Sequence, residues 1–357
     1  MYRSSAMALK RPLLTALFFC FSFLGLHFGA FAQPFALPTP NRDILDPSTL
    51  ENYFVPTVGR TWESGTFGCV RSERQQIHEG LDIRSKTFDR RGEATDPVFA
   101  TADGRIVYVN GSPGKSSYGR YIVIEHDING IAIYSLYAHL STISQGIAAG
   151  VAVKQNQQIG VIGRSTNTKA TISKERAHLH FELCLYLSPH FLPWYRKNYP
   201  NQADHDGYHG WNLAGIDPWL VFKEQWKKEA EFDLASFIRR DGNITRMDKE
   251  QLCRVLIYKK EFPFARLYPR LTVVNKVALE EGIVAWDVRF DYNGAPFVVI
   301  PRAASEISNS KGKYTLLAVN EEEQRINPGR HFLKKTGAQW QMTSKFISYL
   351  DQITYIP

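Results

Sequence analysis

The chain has 357 residues, 44% of them hydrophobic, 22% charged and 13% aromatic, which is enough apolar material for a packed core and excludes global disorder, a collagen-like repeat and a coiled coil. The formal charge is +8; Arg3, Lys10 and Arg11 lie in a segment expected to be cleaved, and without those three positive charges the balance is +5. Nothing gathers that charge into a nucleic-acid stripe or an RNA-binding motif, so no nucleic-acid partner is expected, and the length suits about two domains.

Residues 1–32 carry the three parts of a secretory signal. Lys10-Arg11 ends a basic region, Leu13 to Phe28 is strongly apolar, and Ala30-Phe31-Ala32 supplies a small-x-small cleavage site before Gln33. No second apolar run of that length is present, so the cleaved chain is expected to be exported, in the periplasm or outside the cell, with no stable membrane span. Cys20 lacks the small residues that precede a lipoprotein site. Cleavage leaves Cys69, Cys184 and Cys253, which allow one disulfide and a leftover thiol, or three buried free thiols.

Residues 33–60, with Pro34, Pro38, Pro40, Pro47 and Pro56, read as an extended lead-in lying across the surface of the next domain. From 61 the pattern is β. Gly104-Arg-Ile-Val-Tyr-Val109, Tyr121-Ile-Val-Ile-Glu125, Ile131-Ala-Ile-Tyr-Ser-Leu-Tyr137 and Gln158-Ile-Gly-Val-Ile162 are short alternating runs, with turn signals at Asn110-Gly111, Asn129-Gly130 and Gly163. This predicts an antiparallel sheet without long crossover helices. Residues 188–212 read as an irregular loop, and Asp217-Pro218 predicts the start of a helix running to about Glu231. Residues 233–357 form a second unit of unknown role. Val284, Trp286, Val288 and Phe290 alternate before the hairpin signal Tyr292-Asn293-Gly294, Phe297 to Ile300 returns, and Thr343 caps a last helix with Phe346, Leu350 and Ile353 on one face.

Three polar groups carry candidate chemistry: His78-Glu-Gly-Leu-Asp82, Tyr137-Ala-His139-Leu140 and His178-Leu-His180-Phe-Glu182. Strand residues two apart share a face, so His178 and His180 can converge, and Gly80 permits a tight path between His78 and Asp82. Two imidazoles and a carboxylate are a common zinc set that leaves a fourth position open. The remaining histidines can move a proton or donate to an oxyanion, and His139 and His178 are the free candidates. His126 reads as structural. His190, His205 and His209 read as solvated loop histidines, and Asp241-Gly-Asn-Ile-Thr-Arg-Met-Asp248 lacks the acidic start of a calcium loop.

The run from about Phe67 to Leu187 resembles the zinc metallopeptidases of lysostaphin and LytM type, peptidase family M23. The resemblance rests on Phe67-Gly68, His78-Glu-Gly-Leu-Asp-Ile83, Gly104-Arg-Ile-Val107, Gly119-Arg-Tyr-Ile-Val-Ile-Glu-His126, Tyr137-Ala-His-Leu140, Gln158-Ile-Gly160, His178-Leu-His-Phe-Glu182 and Asp217-Pro218. It implies a compact antiparallel β metallopeptidase domain over 61–232; with the smaller C-terminal β-rich (α+β) domain read from the alternation over 233–357, the chain is expected to be mainly β. The resemblance further implies His78, Asp82 and His180 as ligands of one zinc ion per chain, His139 and His178 as catalytic histidines, and a zinc-dependent endopeptidase acting on peptidoglycan stems or cross-bridges. Two alternatives stay open: a non-catalytic activator of another cell-wall hydrolase, and a secreted protease acting on protein. The long charged stretch Arg164 to Ala177 and residues 188–212 depart from the family pattern and are expected to border the groove.

Overall fold

Alternation with a period of two decides the strand at the centre of the protein. Along His178 to Tyr186, Leu179, Phe181, Leu183 and Leu185 enter the main apolar core, while His178, His180, Glu182 and Cys184 face the other way. Both faces are covered, so every residue from His178 to Leu185 is buried. The computed structural model describes Met1 and residues 33–241, 250–308 and 312–357. The signal segment apart from Met1, and all of the stretch considered as a calcium loop except Asp241, lie outside the described residues.

The strands of the first region are β1 (Gly68–Arg71), β2 (Gln76–His78), β3 (Leu81–Arg84), β4 (Pro97–Phe99), β5 (Gly104–Asn110), β6 (Tyr121–Ile128), β7 (Ile131–Ala138), β8 (Thr142–Ile143), β9 (Ala152–Val153), β10 (Gln158–Val161), β11 (His178–Tyr186) and β12 (Leu213–Ile216). The main sheet has the order β12-β11-β7-β6-β5-β9, and β3 pairs with the N-terminal half of the β11 edge whose C-terminal half pairs with β12. Its named pairings are all antiparallel, as the short glycine-punctuated runs predict. A β4-β10-β8 sheet and a β1-β2 hairpin complete this region.

Residues 33–60 do more than cross the surface. They form short helical turns, including Leu50–Tyr53, bury Phe35, Ile44, Tyr53 and Phe54 in the core, and pair Phe54 with Ile83 of β3. Residues 188–212, expected to be irregular, contain the helix Phe191–Asn198. Pro193 sits in its first turn, where no amide hydrogen is required, and Phe191, Trp194 and Tyr195 share its buried face. The Asp217 carboxylate caps the helix Pro218–Lys228 through Trp219 and Leu220 amides, and that helix stops before Glu231 because Glu229 takes a φ of 50°.

In the C-terminal region β13 (Gln251–Ile257), β14 (Ala285–Asp291), β15 (Pro296–Arg302) and β16 (Tyr314–Val319) form an antiparallel sheet of order β15-β14-β13-β16, beside the hairpin β17 (Leu333–Thr336) and β18 (Gln339–Met342). The predicted hairpin at 292–294 joins β14 to β15, and Thr343 caps the last helix, Ser344–Ile353, at the Phe346 amide. Gln33–Pro357 is one compact unit whose apolar core runs through both sheets. Cys69, Cys184 and Cys253 are buried free thiols, so no disulfide joins them. Among the described residues no helix is long and apolar enough to cross a membrane.

Candidate metal centre

β2 ends on His78 and β3 carries Asp82, with Gly80 in the turn between them. The requirement for glycine there is closeness: a Cβ on Gly80 would lie 2.4 Å from the Phe181 carbonyl oxygen, so the turn is pressed flat on β11. The register then places His180 directly opposite Asp82. One donor atom from each of His78, Asp82 and His180 lies within 4.8 Å of the others, and all three residues are buried. His78 Nε2 is 3.0 Å from Asp82 Oδ1 and 3.1 Å from His180 Nδ1, and His180 Nδ1 is 2.9 Å from Asp82 Oδ1.

The other ring nitrogens assign the tautomers. His78 Nδ1–H donates to the Thr66 carbonyl at 2.8 Å, and His180 Nε2–H donates to Glu182 Oε1 at 2.8 Å. Each neutral ring is left with a lone pair aimed at the Asp82 carboxylate, so three acceptor atoms face one another across about hydrogen-bond distance. Such a group is repulsive in a buried site unless a proton or a metal ion lies among them. Without a metal ion a proton fills that place, carried by His180 Nδ1 towards Asp82. Burial works against both ionised forms, yet bonds to Asp82 and Glu182 lift His180 to about 9, and His78, His178 and Arg71 hold Asp82 well below the usual carboxylate range. Arg71 Nη2 meets Asp82 Oδ2 at 2.5 Å. Glu182 also accepts from Tyr118 Oη at 2.7 Å and Cys184 Sγ at 3.1 Å, which fixes the carboxylate behind His180.

His139 and His178 stand beside this cluster, with ring centroids 4.9 Å apart. His139 directly follows β7 in the left-handed region, φ 62°, an unusual conformation for a residue with a side chain. Its Nδ1–H donates to the Ser165 carbonyl at 2.9 Å, and His178 Nδ1–H donates to the Arg176 carbonyl at 2.6 Å. That leaves both Nε2 atoms as acceptors, His178 Nε2 lying 3.5 Å from Asp82 Oδ1. Burial is the largest cause that lowers both imidazoles below their ordinary value, well below it for His139. All five residues open onto one groove of about 500 Å³.

A model of peptidase family M23 matches residues 76–189, the segment that contains this groove floor. The chain is 35% identical over 95 residues to Lipoprotein NlpD of Yersinia enterocolitica, a match that spans 27% of this chain and 84% of that one. The chain belongs to peptidase family M23. It is also 34% identical over 128 residues to Murein hydrolase activator NlpD of Escherichia coli K12, covering 36% of this chain and 27% of that protein, so it spans about a quarter of that relative's length. The catalytic domain of lysostaphin from Staphylococcus simulans aligns at 25% identity over 37% of this chain and 75% of that chain, with a TM-score of 0.23.

The five positions read from the sequence as M23 site residues, His78, Asp82, His139, His178 and His180, come together at this groove. His126 lies elsewhere, buried between the Asp103 carbonyl at 2.8 Å and Ser135 Oγ at 2.6 Å. His205 and His209 correct the reading of solvated loop histidines: both line the M23 groove, and His205 Nδ1 is 2.9 Å from Tyr108 Oη. Thr166, Thr168, Ile172 and Arg176 of the long charged stretch border it, as expected. Sequence reasoning missed Tyr118, Arg71 and the role of Glu182. For Glu182 a signal was present, since it continues the alternation of His178 and His180 on the same face of β11.

Proposed function

We propose that the chain is an exported zinc-dependent endopeptidase of the cell envelope that hydrolyses peptide bonds in peptidoglycan. The observation that carries this reading is the set of three facing acceptors on His78, Asp82 and His180, their tautomers fixed from behind. The donor set, two imidazole nitrogens and one carboxylate with space left on the groove side, fits zinc. A zinc ion bound there supplies Lewis acidity, polarising a carbonyl and lowering the pKa of water towards about 7.

His78, Asp82 and His180 would hold the ion, while Thr66 and Glu182 keep the two rings in the ligating tautomer. Arg71 keeps the second Asp82 oxygen occupied, so a single oxygen faces the centre. His139 and His178 have Nε2 lone pairs beside the open side. One accepts the proton of the attacking water and returns it to the leaving amine, and the other, once it carries a proton, donates to the developing oxyanion. The backbone bonds at Nδ1 stop either ring from turning away.

A second reading has the chain activating another murein hydrolase, and the names of its NlpD relatives favour it. A third has it cutting secreted protein. The test is elemental analysis and incubation on intact peptidoglycan sacculi, with the native chain beside His180→Ala. About one zinc per chain and muropeptide release, both lost in the variant, support the endopeptidase. Release only when a second murein hydrolase is added, equal for both forms, supports the activator and sinks the proposal. Digestion of casein without release from sacculi supports the third reading.

A further inference from the structure

A second cavity, of about 620 Å³, opens beside the metal groove, and its walls lie almost wholly beyond residue 189, where the family match ends. One wall comes from the segment carrying Trp194, Tyr199 and Trp211, the other from the C-terminal region through Arg330, Phe332 and the last helix. Gly210, Trp211 and Arg330 line both spaces, so the two are neighbours across these residues.

The charge on this cavity has one sign. Arg330 and Lys345 are the charged residues of its lining, and no carboxylate is among them. Lys345 has no salt bridge or hydrogen bond among the described residues, and its ammonium is held below its ordinary pKa by burial and by the Arg330 charge, against the pull of Glu79. Arg330 is fixed in place: its Nε and Nη2 donate to Asn293 Oδ1 at 3.0 and 2.6 Å, and Nη1 lies 3.3 Å from Glu79 Oε1. Glu79 follows the ligand His78, so the guanidinium stands at the junction with the metal loop. Trp211 is 46% exposed at the same junction, a large flat apolar surface left open to whatever passes between the two spaces. Two cations that share one carboxylate at their edge make a site short of negative charge.

We propose that this cavity is a carboxylate-binding extension of the metal groove, in which Arg330 and Lys345 take the free carboxylates of a stem peptide and Trp211 packs on its aliphatic part. The assignment rests on the groove being a peptidoglycan-cleaving site, and it gives residues 293–352 a role in choosing substrate. Carboxylate-to-guanidinium bonds are strong enough to sort acidic from amidated peptides.

The probe is a cross-linked muropeptide dimer whose stem peptides carry free carboxylates, and the same dimer amidated at each of them, titrated into the full zinc-loaded chain and followed by NMR. Line broadening reads binding and new resonances read cleavage in one sample. The native chain is expected to bind the acidic form about tenfold more tightly. Lys345→Glu and Arg330→Gln are expected to bring that preference below about twofold. Equal binding of the two forms by the native chain, or a preference that survives in both variants, overturns the assignment. Should Arg330→Gln fail to fold, Lys345→Glu alone decides, because the Lys345 side chain is only partly covered and has no salt bridge or hydrogen bond among the described residues. A preference that is present and lost in the variants, with no cleavage, leaves this site standing and removes the endopeptidase reading. Cleavage without a preference does the reverse.

Discussion

Two buried aspartates, one in each sheet, show what separates a structural charge from a reactive one. Asp287 on β14 is 1% exposed and takes Arg254 Nη2 at 2.6 Å and Arg302 Nη2 at 2.8 Å on Oδ2, with Arg254 Nε at 3.2 Å on Oδ1. Both guanidiniums come from the neighbouring strands, diagonal to it, and every contact pairs a donor with an acceptor. Asp82 is 3% exposed and equally surrounded, but two of its neighbours are imidazoles whose hydrogens are committed elsewhere. The Asp287 cluster is closed by its own charges, whereas the Asp82 cluster, on the proposed reading, is completed by a metal ion that replaces a proton. A count of buried carboxylates does not distinguish them; the tautomers do.

That contrast can be broken in four ways, beginning with the largest effect. His139→Ala and His178→Ala are each expected to keep zinc and lose about 10²–10⁴-fold in the rate of muropeptide release, because proton transfer goes and the ligands stay. Zinc loss in either variant, by elemental analysis, would move that histidine into the ligand set. Asp287→Ala is expected to lower unfolding stability by about 3 kcal/mol in urea, leaving two guanidiniums without their anion, while the folded fraction keeps its zinc. An unchanged denaturation midpoint would remove Asp287 from the structural side of the comparison.

Glu182→Gln comes next. An amide still touches His180 Nε2 but holds the ring less firmly in the ligating tautomer, so zinc affinity is expected to fall about 10–100-fold in a chelator competition. An affinity equal to native would mean that the carboxylate behind His180 does nothing for the metal. The smallest effect concerns the helix cap. Burial raises Asp217 to about 6, from an ordinary 3.8. The folded state therefore binds the proton more tightly than the unfolded chain; the resulting stability is complete below about 3.8 and is lost as pH rises through about 6. Asp217→Asn keeps the capping oxygen and removes this dependence, so native stability relative to the variant is expected to fall by on the order of 1–2 kcal/mol between pH 4 and pH 7. Parallel stability curves in the two proteins would show that Asp217 does not titrate in that window.

The legible part of the fold obeys a physical rule. Strands β5, β6, β7 and β10 could be read because alternation is local, each residue facing its neighbour but one. The helix Phe191–Asn198 could not, since Pro193 and the surrounding histidines and tyrosines masked a face that only packing defines. The burial of 33–60 was hidden for a similar reason: Phe35, Tyr53 and Phe54 have no period of their own and find their places against β3 and the core.

The amino-acid sequence by itself determined the mainly β class and the five candidate site residues, because His78, Asp82, His139, His178 and His180 sit in short motifs that resemble those of family M23. Tertiary structure decided what surrounds them. Thr66 and Glu182 set the tautomers, and Gly80 meets Phe181 across 101 positions of sequence; Arg330 reaches the metal loop from the far end of the chain. Hydrogen bonds and charges act over a few ångströms of space, and separation along the chain says nothing about that distance until the sheets have closed.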